Sequence, residues 1–270
     1  MTIEKVESIK TRKSDGINPL VSALMFMGET FGLAWQSILT LLHGRINFRE
    51  TLVQMASIGA DSLPIVIVTT LSTGAVFSFY TADIFVRFGA QAFLGGTLTL
   101  SFLLELGPLF AGITVAARSG AAIAAEIGSM VVTEQVDALR AMAVSPVRYL
   151  VVPRILACVI MMPILCIFAD LAGILGTFIM ATTHGVAPSS FIESARTYVS
   201  SADLTKGMIK TVWYGFTIAV ISCHYGLRTG GGATGVGRAT TSSVVMCIVL
   251  IFVSDFFLAQ LLAGASITIR

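Results

Sequence analysis

The chain has 270 residues, 55% of them hydrophobic and only 12% charged, with a mean hydropathy of +0.88. An ordinary soluble domain carries about 25% charged residues, so a chain this poor in charge reads as one membrane domain rather than a water-soluble one. A formal net charge of +2, with basic residues scattered among apolar runs, excludes a nucleic-acid-binding surface.

Residues 1–18 are polar, of mixed charge and without the apolar core of a secretory signal, so they read as a cytoplasmic tail. From 19 to 44, Leu20, Leu24, Phe31, Trp35, Ile38 and Leu42 recur at near-helical spacing. The Gly28-Glu29 break and the basic pair Arg45 and Arg49 predict an amphipathic helix lying in the membrane interface rather than a span. Stronger apolar runs follow at 62–80, 93–117, 150–182, 208–225 and 244–265, about five crossings of roughly 20 residues or more. The expected fold is therefore an all-α membrane protein.

Basic residues choose the orientation. With a cytoplasmic N-terminus, Lys5, Lys10, Arg12, Lys13, Arg45, Arg49, Arg118, Arg140, Arg148, Arg154, Arg228 and Arg238 fall inside. Only Arg87, Arg196, Lys206 and Arg270 fall outside, with Lys210 within a span. The cytoplasmic segment 119–148 opens on small residues and then alternates sides. Ile123, Ile127, Met130, Val136, Leu139 and Met142 form an apolar side, and Glu126, Thr133, Glu134, Asp137 and Arg140 a polar one. This pattern predicts an amphipathic helix over about 119–142, ended by Ser145-Pro146, which starts the next helix.

The glycine-rich run 229–240 lacks the Lys-Ser/Thr pair of a phosphate-binding loop, since Arg238 and Ala239 follow Gly237; it reads as a flexible turn between spans. Power from ATP would have to come from another subunit. His43, His184 and His224 are far apart, no HExxH or GxSxG occurs, and the four cysteines lie in apolar stretches as small hydrophobes, so no enzyme emerges. Ionisable residues inside spans are expensive and stand out: Glu105, Asp170, Lys210 and Asp255. Lys210 pairing with one of the acids would hold helices together; alternatively, these groups line a polar spot where a charged head group is met. Pro64, Pro108, Pro153 and Pro163, with Gly74, Gly95, Gly96 and Gly107, would kink helices or let them approach closely.

Ordered blocks then carry a resemblance: Glu105-Leu106-Gly107-Pro108, Ala117-Arg118-Ser119-Gly120, Ala125-Glu126-Ile127-Gly128, Thr133-Glu134-Gln135-Val136-Asp137-Ala138-Leu139, Tyr149-Leu150-Val151-Val152-Pro153-Arg154 and Gly235-Val236-Gly237-Arg238-Ala239-Thr240-Thr241. Together, across about 48–262, the chain resembles the MlaE/YrbE permeases of the ABC transporters that work with MCE-domain proteins. The resemblance implies a multi-pass inner-membrane permease domain over 45–270, homodimeric, moving lipid such as phospholipid. It implies two ATP-binding subunits that hold the ATP and Mg, a ring of MCE-domain subunits on the far side, and no cofactor on this chain. It makes 119–142 the coupling helix, with Glu126, Thr133, Glu134, Asp137, Leu139 and Arg140 toward the ATPase. It places a lipid cavity at Val76, Phe77, Tyr80, Ile84, Leu98, Phe102, Glu105 and Asp255, although Tyr80-Thr81-Ala82-Asp83 departs from the glutamine-containing run of the family. The rival reading from the residues alone is an ion-coupled secondary transporter using Glu105, Lys210 and Asp255 as a relay.

Overall fold

The computed structural model describes residues 19–43 and 47–267; the tail expected at 1–18 lies outside them. The described residues form eight helices and no strand. They are α1 (Pro19–His43), α2 (Phe48–Arg87), α3 (Gln91–Val132), α4 (Gln135–Ala141), α5 (Val147–Thr183), α6 (Pro188–Tyr198), α7 (Ser201–Leu227) and α8 (Gly232–Ile267). Four of them, α2, α3, α5 and α8, are long and apolar enough to cross a membrane. The fifth expected span, 208–225, lies in α7, which falls short of that apolarity. The reason is position: α7 is sunk in the bundle, where Lys210, Thr211, Tyr214, Ser222 and His224 are buried against neighbouring helices rather than facing lipid.

Contacts give the direction of each helix. Going along α2 and α5 together, Gly59 meets Met161, Gly74 meets Gly173, and the Ser78 hydroxyl donates to the Thr177 carbonyl at 2.9 Å, so these two helices run parallel. On α3 and α7, Gly207 meets the Leu103 carbonyl, Gly112 meets Tyr214, Gly120 meets Ser222 and Gly226 meets Ile127, so they also run parallel. The short link between Arg87 and Gln91 turns α3 back against α2, and the link between Leu227 and Gly232 turns α8 back against α7. All five long helices therefore traverse one bundle. Arg118, Arg148, Arg154, Arg228 and Arg238 collect toward the end where α3 and α7 finish and α5 and α8 begin.

The most extensive helix contact joins α2 to α5. The buried face of α2 is Ile58, Ser62, Val66, Thr70, Gly74, Ser78 and Ala82, at every fourth position and mostly small, with Ser62 bonded to Ser119 of α3. Lipid tails are as apolar as leucine, so helices in a membrane associate by close packing rather than by escape from water, and small residues permit it. A Cβ on Gly74 would strike the backbone of Gly173, and one on Gly176 the carbonyl of Leu71. Both α2 and α5 continue helical through their internal prolines, Pro64 and Pro163.

Two expected segments differ in form. The amphipathic helix of 119–142 is two pieces: Ile123, Ala124, Ile127 and Gly128 belong to the buried end of α3, which runs on to Val132, and a break at Glu134 (φ 60°) precedes the short α4. The apolar side read from Ile123 and Ile127 is bundle core, not a second surface helix. The glycine-rich run is mostly helix: Gly231 (φ 82°) and Gly232 (φ 69°) take the bend in the left-handed region, and α8 begins there. The four cysteines are buried and unbridged. α6 was not foreseen; it packs on the start of α3, where a Cβ on Gly95 would collide with the Phe191 backbone and the Ser194 hydroxyl accepts from the Gly96 N–H at 2.9 Å.

Gly74→Val should therefore break the α2–α5 seam. Overpacking a tight contact costs about 1–3 kcal/mol or more, and thermal unfolding of the detergent-purified protein should show a clear loss against Gly28→Ala, whose Cβ meets nothing within 4 Å.

Candidate functional site

The backbone of α3 departs from α geometry at Phe102–Leu106, a π-helical turn in which the Gly107 N–H reaches back to the Phe102 carbonyl. Pro108 follows and has no N–H, so the Leu104 carbonyl, four residues earlier, loses its helical donor. Lys210 of α7 supplies one, Nζ donating to Leu104 O at 3.0 Å. The same ammonium lies 2.6 Å from Glu105 Oε2 and 3.0 Å from Asp255 Oδ1 of α8. The ammonium donates to Leu104 O and Glu105 Oε2 and is ion-paired with Asp255. Tyr214, one turn along α7, donates its hydroxyl to Asp255 Oδ1 at 2.5 Å. The cluster thus fastens α3, α7 and α8 at one point.

Exposure separates the roles of the members. The Lys210 side chain is 2% exposed and that of Asp255 16%, whereas that of Glu105 is 43% exposed. Lys210 is the enclosed centre; Glu105 keeps a carboxylate edge at the surface, able to accept from donors on an approaching head group. Asp170 stands apart from this ion cluster: buried on α5, it abuts Gly107, where a Cβ would collide with its carboxylate, and its Oδ2 accepts from Cys166 Sγ at 3.6 Å.

The other expected cavity residues divide in two. Val76, Phe77, Tyr80 and Ile84 are exposed on α2, while Leu98 and Phe102 are fully buried within the single chain, the Phe102 ring filling the space beside Gly173. One chain alone does not enclose them in a common pocket. A separate apolar cavity of about 520 Å³ lies under α1, bounded by residues such as Ile38, Leu41, Ile155, Val212, Trp213 and Leu258. α1 itself is pinned where α7 ends, with Phe26 edge-on to His224 at 4.9 Å and Glu29 paired to Arg228 at 2.9 Å.

At the opposite end of the bundle from α6, the expected coupling residues are placed unevenly. Thr133, Glu134, Asp137 and Arg140 are exposed and Leu139 is half-buried, with Asp137 and Arg140 paired across one turn at 2.8 Å. Glu126 lies further back on α3, bound to Arg154 at 2.9 Å. Arg118, in a second π-helical turn of α3 at Ala116–Gly120, pairs with Asp61 of α2 at 2.8 Å and donates to Ser57 O at 3.3 Å. Sequence reasoning missed Tyr214, whose i+4 spacing from Lys210 was the available signal, and it read Arg154 as a loop cation although it is buried.

These features define a multi-pass α-helical membrane protein with an ion cluster inside its bundle and an exposed helix held out at one end. Residues 51–261 match the family described as Permease MlaE, and the chain belongs to that family. It is 41% identical over 90% of both chains to a probable ABC transporter permease protein of Synechocystis sp.. It is 41% identical to a probable ABC transporter permease protein of Rickettsia typhi, over 77% of this chain and 81% of that one. With the chloroplastic protein trigalactosyldiacylglycerol 1 of Arabidopsis thaliana it shares 38% identity over 84% of this chain and 65% of the other. The chain is a non-catalytic permease subunit, and ATP hydrolysis resides in a separate subunit. That leaves the ion-coupled secondary transporter without support.

Lys210→Met should leave Glu105 and Asp255 facing each other without a cation. Stripping one partner from a buried ionic group costs about 3–5 kcal/mol, so the thermal midpoint should fall. Adding Glu105→Gln and Asp255→Asn to Lys210→Met should recover a large part of the loss; no recovery would mean that Lys210 acts by packing rather than by charge.

Proposed function

We propose that this permease moves lipid, phospholipid in particular, between the inner membrane and an MCE-domain carrier on the far side. Two copies of the chain form the lipid cavity. The observation that carries this reading is the ion cluster: Glu105 stays half exposed beside an enclosed Lys210 in a bundle whose outer faces are otherwise apolar. A cavity with greasy walls and one polar floor suits a molecule with tails and a charged head. Val76, Phe77, Tyr80 and Ile84 supply exposed apolar wall, which a second copy would enclose. The relative named for a galactolipid, trigalactosyldiacylglycerol, supports lipid as the cargo class.

The N-terminus is cytoplasmic in this reading, which puts the arginine-rich end of the bundle inside, in line with the excess of Lys and Arg on cytoplasmic segments. α4 then faces the ATPase subunits, which hold ATP and Mg. Closure of those subunits on α4 of both copies alternately widens and collapses the cavity.

Reversing the two acids of this segment, Glu134→Lys with Asp137→Lys, should release the ATPase subunits on co-purification or weaken them by at least about tenfold, since like charges facing across an interface cost several kcal/mol. Mass spectrometry of lipid extracted from the purified wild-type complex should find phospholipid in stoichiometric amount. Unchanged transport by the double variant, or a complex that carries no lipid, would overturn the proposal.

A further inference from the structure

Arg154 is a second buried cation, distinct from the ion cluster. It stands just after Pro153 on α5 with its side chain 3% exposed. Its Nη1 donates to the Leu150 carbonyl at 2.9 Å, in the π-helical turn Val147–Val151 that opens α5. Its Nη2 donates to Glu126 Oε2 on α3 at 2.9 Å, and its Nε has no acceptor among the described residues. Enclosing a guanidinium carries a desolvation cost of several kcal/mol that a single pair rarely offsets, and a well-packed apolar side chain of similar volume is often as stable or more so. Stability alone therefore does not account for an arginine here.

Position does. α4 hangs between two limbs, the end of α3 and the start of α5. Within 133–145 Val136 alone is buried, and the chain turns through two left-handed non-glycine residues, Glu134 (φ 60°) and Ala143 (φ 58°). So slight a segment cannot carry a displacement by its own stiffness; a push on α4 would be absorbed by the limbs spreading apart. The Glu126–Arg154 pair crosses from one limb to the other just inside the bundle. We infer that Glu126 and Arg154 are a positioning pair that makes the inner ends of α3 and α5 move as one body when α4 is pushed. In this role Glu126 acts through Arg154 and not by touching the ATPase. The inference rests on the reading of α4 as the ATPase dock.

The test is the quantity of phospholipid transferred per ATP hydrolysed by the whole complex in phospholipid vesicles, for the wild type, Glu126→Gln, Arg154→Met, the double variant and Arg154→Lys. Each of the first two changes should lower that ratio by about fivefold, within the range by which residues between coupled sites alter coupling. The double variant should be no worse than either single one, because both remove the same link. Arg154→Lys, which keeps the charge and the reach to Glu126, should restore most of the ratio. Wild-type ratios in Glu126→Gln and Arg154→Met, or losses that simply add in the double variant, would overturn the brace. Should Arg154→Met fail to assemble, the half-exposed Glu126→Gln decides alone. A wild-type complex that transfers no lipid would instead overturn the functional reading on which the brace depends.

Discussion

A cation buried in a membrane bundle must be met by its neighbours, because no water is there to meet it. Two buried cations of this protein, Lys210 and Arg154, obey that constraint, and they, with the partly exposed Arg118, all tie helices to α3. Lys210 joins it to α7 and α8 through Glu105, Asp255 and the Leu104 carbonyl. Arg154 joins it to α5 through Glu126, and Arg118, itself on α3, joins it to α2 through Asp61. Beside the close packing of the α2–α5 seam, each ion pair adds a directional contact that helps fix the height and azimuth of the helices it joins. α3 is thus the reference to which the other four long helices are registered.

The means by which a helix presents polar backbone at membrane depth recurs. At Phe102–Leu106 and at Val147–Val151 a π-helical turn sits just ahead of a proline, Pro108 and Pro153, and in each case a buried cation donates to a carbonyl in that turn. A π-turn shifts the hydrogen-bond ladder by one residue, and a proline deletes a donor from it. Left alone in an apolar setting, a freed carbonyl such as that of Leu104 would be costly; taken by Lys210 it becomes part of the site. The local weakness in the helix and the polar group that answers it belong to one arrangement, and neither makes sense without the other.

How far the sequence discloses this depends on the kind of signal. Glu105, Lys210 and Asp255 stand out in the sequence because charges within apolar runs are rare, and the structure brings all three together. Tyr214 reads as one more bulky apolar residue unless its i+4 spacing from Lys210 is weighed, which puts the two on one face of α7. Arg154 counts as a loop cation under the positive-inside rule, which is blind to depth. The run 62–80 is the apolar middle of a helix that starts at Phe48, because hydropathy marks the membrane-embedded part and not the polar turns that continue it. The break at Glu134 carries no glycine or asparagine to announce a left-handed residue. A legible signal that hydropathy passes over is the seam of α2, where Ile58, Ser62, Val66, Thr70, Gly74, Ser78 and Ala82 recur at every fourth position. That period is a packing signal, and it identifies which face of a uniformly apolar helix is turned inward.

The same comparison shows where the bundle is closed and where it is open. Half of the apolar windows of α3 and α5 is buried within the chain, but only 11% of that of α8. Val249, Phe252, Val253, Phe256 and Phe257 face outward along α8, while Cys247 and Ile251 are buried in the core on its other side. Asp255 reaches Lys210 and Tyr214, and Ser243 donates to Ser222 at 3.1 Å. Short polar contacts of this kind have few alternative geometries, so with the buried Cys247 and Ile251 they fix one edge of α8 and leave its apolar face open. The α2–α5 seam is closed instead, its backbones already touching at Gly74 and Gly176. The cluster around Asp255 is therefore the point at which the open helix is held to the closed part of the bundle.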